Sequence, residues 1–292
     1  QIGQATTSAA AAALWFPYDC EPRNKVIAWA LATYSVLVDL CDDPHSGVSM
    51  IELHQFSRTG QIDIPNWAHP LGARSLSVIP SEVEESLTVD SSRFKGGFAL
   101  NVPLMDTTIY LPYLATRLIA AGGTISSGVR FENLENVDRN FDLVINCAGI
   151  GALSLVRDFD LEPHRGQVAI VPKIDNLACA IVCDDAPLMY AIPRTNDCVF
   201  GGTNELSDNL QINPTSTAQM VAECTRVLNI EAPPVVAERV GLRPYRKSGV
   251  RLEVAQLADR RSAIHDYGHG GSGFTLSWGC AEEVFMLADS FR

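Results

Sequence analysis

Ala263-Ile264-His265-Asp266-Tyr267-Gly268-His269-Gly270-Gly271-Ser272-Gly273 is the stretch from which the fold of this chain is read. A short strand-like run enters a glycine-rich turn, and the apolar segment that follows, ending near Ala288, predicts a helix. Gly268 to Gly273 satisfies G-x-G-x-x-G, yet a dinucleotide-binding opening needs a second strand with an acidic residue about 20 positions later, and the sequence stops first. The turn can still set backbone N–H groups and a helix N-terminus against an anion or an electron-rich ring. Taken alone, it is equally a tight connection between strand and helix. His265 and His269 have the four-residue spacing of metal ligands on a helix, but the glycines around them argue against helix there and so against a metal.

Outward from this stretch, Asp142 to Asn146 reads as a buried strand that ends in the small residues Cys147-Ala148-Gly149, and Gln167 to Val171 reads as another. Met189 to Pro193 and Cys198 to Gly202, joined by Arg194-Thr195-Asn196-Asp197, form a hairpin with a polar turn. Apolar residues at helical spacing predict helices over Val26 to Leu40, over Tyr110 to Ala121 with Gly122-Gly123 as the stop, and over Ser216 to Leu228. The opening Thr6-Thr7-Ser8 and Ala9 to Ala13 are small enough for backbone to approach a ligand closely, or else form a frayed end. In Gly241-Leu242-Arg243-Pro244-Tyr245-Arg246 the proline favours extended chain, which sets Arg243 and Arg246 on opposite faces. One guanidinium could then enter a pocket and grip a carboxylate bidentately, although an arginine is more often a surface residue.

The 292 residues suffice for two packed lobes, since a chain of this size buries roughly 75% of its unfolded surface. No repeat and no long linker divides them, so the lobes are expected to interleave. A formal charge of −12 opposes binding to nucleic acid or anionic lipid and points to a small molecule. Eight cysteines without a CxxC pair fit reduced, buried thiols in an intracellular protein. No apolar run is long enough to span a bilayer, and no export signal opens the chain. Asp289-Ser290-Phe291-Arg292 is not a Ser-Lys-Leu-type peroxisomal address; such an address lies beyond this end or there is none.

Thr6-Thr7-Ser8 with Leu14-Trp15-Phe16-Pro17-Tyr18, Val144 to Gly149, Arg165-Gly166-Gln167, Gly241 to Pro244, and His265 to Gly273 continuing to Gly279 and Ala281 together resemble the D-amino-acid oxidase family. The blocks stand in the family's order and span essentially the whole chain. Ala263 and Asp266 depart mildly from the family signature, and Ser272 stands where a bulkier residue is expected, which would open the pocket. The family's opening strand, G-x-G-x-x-G turn and helix, about 30 residues, have no counterpart before Gln1.

The resemblance implies an α/β fold in which an FAD-binding Rossmann-like lobe, incomplete at its N-terminus, interleaves with a mixed-sheet substrate-binding lobe. Residues 1–40, 100–165 and 255–292 are assigned to the first, and 41–99 and 166–254 to the second. It implies FAD-dependent oxidative deamination of D-amino acids to keto acids, ammonia and hydrogen peroxide. Arg243 would clamp the substrate carboxylate, Tyr190 would add a hydrogen bond to it, and the Gly271 carbonyl would accept from the amine. FAD would be contacted by Thr6, Thr7, Ser8, Ala13, Leu14, the backbone of Phe131, Ala148, Gly149, Gly271, Ser272, Gly273, Phe274 and Thr275, with no metal. The partners implied are the amino acid and oxygen, with a homodimer allowed, in a soluble protein of cytoplasm or peroxisome. Lys173 to Pro187 holds no arginine for a second carboxylate, while Asp184 and Asp185 are acidic, so neutral side chains are expected over D-aspartate. Two alternatives stay open: an oxidase of glycine, secondary amines or a biosynthetic intermediate, motivated by Ser272 and Phe16, and a flavin-free relic, motivated by the absent opening turn.

Overall fold

Alternation of apolar side chains along extended backbone builds most of this molecule. A computed structural model describes residues 6–18, 20–76, 89 and 93–291. Its elements are α1 (Thr7–Ala10), α2 (Arg23–Leu40), β1 (Val48–Ser57), β2 (Arg74–Ser75), β3 (Gly96–Met105), α3 (Thr107–Ala120), β4 (Leu143–Asn146), α4 (Ala152–Leu155), β5 (Leu161–Pro172), β6 (Cys179–Cys183), β7 (Met189–Pro193), β8 (Asp197–Gly201), β9 (Glu205–Leu206), α5 (Pro214–Leu228), β10 (Ala237–Arg246), β11 (Arg251–Gln256), β12 (Ser262–Tyr267) and α6 (Gly273–Asp289). The helices, the hairpin and the terminal strand–turn–helix fall where the residue pattern puts them.

Eight strands form one path, β10-β5-β8-β7-β6-β1-β3-β2, with β9 added against β5. Among the described residues β1 and β6 are the one parallel pair of this sheet; the other pairs are antiparallel. Both faces of this sheet are covered. Leu53, Leu100, Val168, Ile170, Ile192 and Val199 pack with Val26, Trp29, Leu37 and Leu276 of the α2–α6 layer. Ile181, Cys183, Ala191 and Phe200 on the other face pack with Cys224, Val227 and Leu228 of α5. Double coverage explains why β3 is buried along almost its whole length. The hairpin turn is closed by Arg194, whose Nε and Nη2 donate to the two carboxylate oxygens of Asp197, each at 2.7 Å. Its third nitrogen, Nη1, donates to Thr107 Oγ1 at the start of α3.

The smaller sheet is ordered β11-β12-β4, with β12 parallel to β4 and Ile264 opposite Ile145. β4 is not wholly buried, contrary to its reading from sequence. It lies at the sheet edge with Ile145 47% exposed. α6 lies against α2, and Gly279 makes this approach possible: a Cβ there would stand 2.5 Å from the Trp29 Cα. All eight cysteines are free thiols; Cys147 is exposed, and Cys183, Cys198, Cys224 and Cys280 are buried. Among the described residues no helix is long and apolar enough to cross a membrane. Arg292, the last of the four residues that do not form a peroxisomal address, lies outside the described residues.

The β12–β4 seam contains a titratable group. His265, opposite Asn146 in the ladder, is buried, and its Nδ1 lies 3.2 Å from the Asn146 side-chain amide, which donates to it. Burial, reinforced by the Arg251 charge, pushes the imidazole down to about 4 from 6.5. The unfolded chain therefore binds more protons than the folded one between these values, and stability contributed above pH 6.5 is lost as pH falls toward 4. Thermal melts across this window will show a falling midpoint, and His265→Gln will reduce the fall. An unchanged fall in the variant would remove His265 from this role.

Candidate active site

β10 carries Arg239, Gly241 and Arg243 on one face and Arg246 on the other, as the extended reading requires. Arg246 Nε donates to Asp158 at 3.0 Å, and Tyr267 Oη donates to the same carboxylate at 2.8 Å. These contacts lie away from Arg243. The Arg243 side chain folds back over the sheet, and its Nη1 donates to the Thr203 carbonyl at 3.0 Å. Beneath it is Gly166, where a Cβ would stand 2.4 Å from Nη1 and 2.6 Å from Cζ. Tyr190 lies on Gly201 and Gly202 in the same manner: a Cβ on Gly201 would stand 2.0 Å from its Cζ. Burial pushes the Tyr190 hydroxyl up while the adjacent Arg243 charge opposes the shift, so the phenol stays protonated and able to donate. Two donors thus lie side by side on a floor of glycines.

Strand alternation divides the work of Arg165-Gly166-Gln167. Gly166 faces Arg243, whereas Arg165 and Gln167 point through the other face. Arg165 donates to the carbonyls of Asn209 (2.8 Å) and Gln211 (2.7 Å), and Gln167 to the Asn213 carbonyl (2.9 Å). The Gln167 backbone N–H donates to Thr203 Oγ1, which fixes the residue whose carbonyl receives Arg243. The sequence reading assigned no role to Gly166, Gly201, Gly202 or Thr203. Each is defined by a contact made across strands, and only the family block around Gly166 hinted at one of them.

The glycine turn docks beside this floor. Gly270 N–H donates to the Pro244 carbonyl at 2.9 Å, one residue from Arg243, and His269 forms a bridge to Tyr245. Two reciprocal hydroxyl pairs then tie the N-terminus of α6 to the incoming chain. Ser272 Oγ accepts from Tyr18 N–H and donates to the Tyr18 carbonyl, and Thr275 Oγ1 does the same for Phe16. Ser272 is fully buried, and the Tyr18 ring lies against Gly271, where a Cβ would meet it at 2.7 Å. The small side chain at 272 therefore opens no space; its hydroxyl is spent on Tyr18. Thr6 caps α1, and Thr7 Oγ1 donates to the carbonyl and accepts from the N–H of Leu242. Ala13 takes a left-handed backbone (φ 57°) that turns the chain so that Leu14 bridges Leu104.

The main chain fits the flat ring and phosphates of FAD. No side chain caps the N-terminus of α6, and a Cβ at Gly273 or at Gly149 would meet nothing within 4 Å. Open backbone and helix-terminal N–H groups are what such a ligand requires. Gly271 to Thr275, Ala148-Gly149 and the Thr6 to Leu14 segment would hold it. Phe131 is exposed, in the irregular chain after α3. His265 and His269 do not converge on one point: the first meets Asn146 and the second lies 3.1 Å from Asp266. Asp266, His269 and Cys280 bring three ligand-type atoms within 4.8 Å of one another. Burial and the Asp266 charge push the Cys280 thiol upward, away from thiolate.

Comparison with known proteins supplies the family. The FAD dependent oxidoreductase family model matches residues 1–287. The D-amino-acid oxidase of Rubrobacter xylanophilus is 36% identical over 288 residues, covering 97% of this chain and 85% of that protein. A human D-aspartate oxidase is 30% identical over 296 residues, covering 97% and 83%. Among solved structures, glycine oxidase from Geobacillus kaustophilus superposes with a TM-score of 0.75 at 15% identity, covering 99% of this chain and 85% of that one, and so shares the fold. With a glycine-walled cradle on one side and a paired arginine and tyrosine on the other, the chain belongs to the family of FAD dependent oxidoreductases, and FAD is its cofactor.

Proposed function

We propose that this protein oxidises free D-amino acids, with the carboxylate of the substrate held by Arg243 and Tyr190. The observation that carries the reading is the Arg243 guanidinium laid over Gly166 beside the Tyr190 hydroxyl, one residue from the carbonyl that docks the glycine turn. A planar guanidinium and a phenol are two donors suited to one carboxylate. The Gly271 carbonyl accepts from the α-amine. Carboxylate and amine are then fixed, and with the side chain confined to the space beyond Tyr190 as the third substituent, the α-hydrogen is aimed in one direction and the accepted hand is set. FAD held by Gly271 to Thr275 would supply the two-electron oxidation of the amine to the imine, with oxygen as the final acceptor and hydrogen peroxide as its product. The imino acid left behind hydrolyses to a keto acid and ammonia. No side-chain base is needed when the amine is bound neutral.

The smaller sheet, α6 and the Thr6 to Leu14 segment serve as the FAD-binding part, and the face of the larger sheet as the substrate-binding part. Neutral side chains fit this pocket and a second carboxylate does not. Asp184 stands at its far side, and Arg58 is committed to the Asp185 and Pro187 carbonyls and to Glu223.

Purified protein carrying FAD will release peroxide with D-alanine and not with L-alanine; FAD-loaded protein inert to every D-amino acid would overturn the reading. Arg243→Met will raise the KM for D-alanine about 100-fold with flavin content unchanged, the loss expected for one charge-assisted carboxylate contact. Gly166→Ala offers a subtler test. The added methyl displaces the flexible end of Arg243 rather than backbone, so the variant will melt near the parent while its KM rises in the same direction. A parental KM in Gly166→Ala would contradict the assigned position of the guanidinium.

A further inference from the structure

The sheet face that holds Tyr190 continues past the carboxylate-binding pair. In the strand register Val182 is opposite Tyr190, and Gln55 is beside Val182 on β1. Asp184, two residues beyond Val182, keeps to this face. Its Oδ2 accepts from Gln55 Nε2 at 2.9 Å. One strand spacing across and two residues along place Asp184 on the order of 8 Å from Tyr190, backbone to backbone. Phe98, opposite Gln55, stacks with Phe16, and Trp67 packs on Phe16, so an aromatic wall borders the same space.

Gln55 and Asp184 are short of donors. Gln55 is 3% exposed, yet its Oε1 is buried with no hydrogen-bond partner. An ionised Asp184 can only accept, which fixes the amide nitrogen toward it and leaves Oε1 as the orphan. Among the described residues Asp184 forms no ion pair, and the nearby Arg58 is taken up elsewhere. Asp185 is not part of this cluster, because Ser57 and the backbone N–H groups of Arg58 and Thr59 satisfy it. Asp184 itself is exposed to solvent beside the buried Gln55 amide, and its carboxyl is pushed up, chiefly by desolvation. A buried acceptor without a donor costs about 1–3 kcal/mol, and a carboxylate beside it raises the demand for a cation.

We infer that Gln55 and Asp184 form the far end of the side-chain pocket and select D-amino acids whose side chain ends in an ammonium or guanidinium group. The inference rests on the proposed reading that Arg243 and Tyr190 hold the α-carboxylate, and sharpens its exclusion of a second carboxylate into a preference for a terminal cation over a neutral end. With the carboxylate at Arg243, a four-carbon side chain runs over Val182 and delivers its terminal N–H groups to Gln55 Oε1 and the Asp184 carboxylate. The aromatic wall covers its methylenes, and the net charge of −12 favours approach of a cation.

The test uses the FAD-loaded protein. Rates with D-lysine and with D-norleucine, a nearly isosteric neutral side chain, will differ by about tenfold or more in kcat/KM in favour of D-lysine, a difference of about 1.4 kcal/mol. Asp184→Asn will collapse that ratio toward unity. A second readout needs no turnover: 6-aminohexanoate, which keeps the carboxylate and the terminal ammonium but lacks the α-amine, will bind more tightly than hexanoate in a calorimetric titration, and Asp184→Asn will abolish the difference. Oxidation of D-norleucine with no preference for D-lysine, or a ratio unmoved by Asp184→Asn, overturns this inference alone. Failure to oxidise any D-amino acid overturns the reading beneath it, and the carboxylate pair then decides the pocket by itself.

Discussion

A guanidinium resting on a position without a Cβ is the constraint from which the rest of this site follows. Arg243 can lie over β5 only because residue 166 is glycine, and Tyr190 over β8 only because residues 201 and 202 are. Neither glycine of the 166 and 201 pair has the left-handed backbone that usually accounts for one; what they provide is absence of bulk. The side chains flanking Gly166 then hold the loop whose Thr203 carbonyl receives Arg243. One tripeptide therefore both clears the floor and anchors the wall.

The second dependence is the clamp between α6 and the chain entering from α1. Ser272 and Thr275 each use one hydroxyl as donor and acceptor to the same backbone residue, Tyr18 and Phe16 respectively. Such paired bonds fix a loop in both distance and direction. They bring Phe16 onto the aromatic wall and Tyr18 onto Gly271, while leaving the first N–H groups of α6 without a side-chain cap. Side-chain polarity here is structural, spent on the loop rather than on the start of the helix.

What could be read from sequence follows from the range of the interactions. α2, α3, α5, the β7–β8 hairpin and the β12–α6 turn are written in local periodicity and glycine placement, and they stand where that reading puts them. β1 and β3 did not declare themselves. Glu52, His54 and Gln55 interrupt the apolar run of β1, and Gly96-Gly97, Asn101 and Pro103 interrupt β3. Their strand identity comes from pairing with each other along ten residues. β4 was read as buried from its composition, but burial depends on what lies beside an edge. The arginine and tyrosine were visible through the resemblance, whereas the glycines beneath them and the Gln55–Asp184 pair, 129 residues apart, are properties of register that no local window contains.

The most direct measurement is a crystal structure of the FAD-loaded protein with a carboxylate ligand bound. The carboxylate is expected on Arg243 and Tyr190, with the guanidinium still over Gly166 and the ligand's tail over Val182. A carboxylate bound away from Arg243, with that guanidinium turned to solvent, would contradict it.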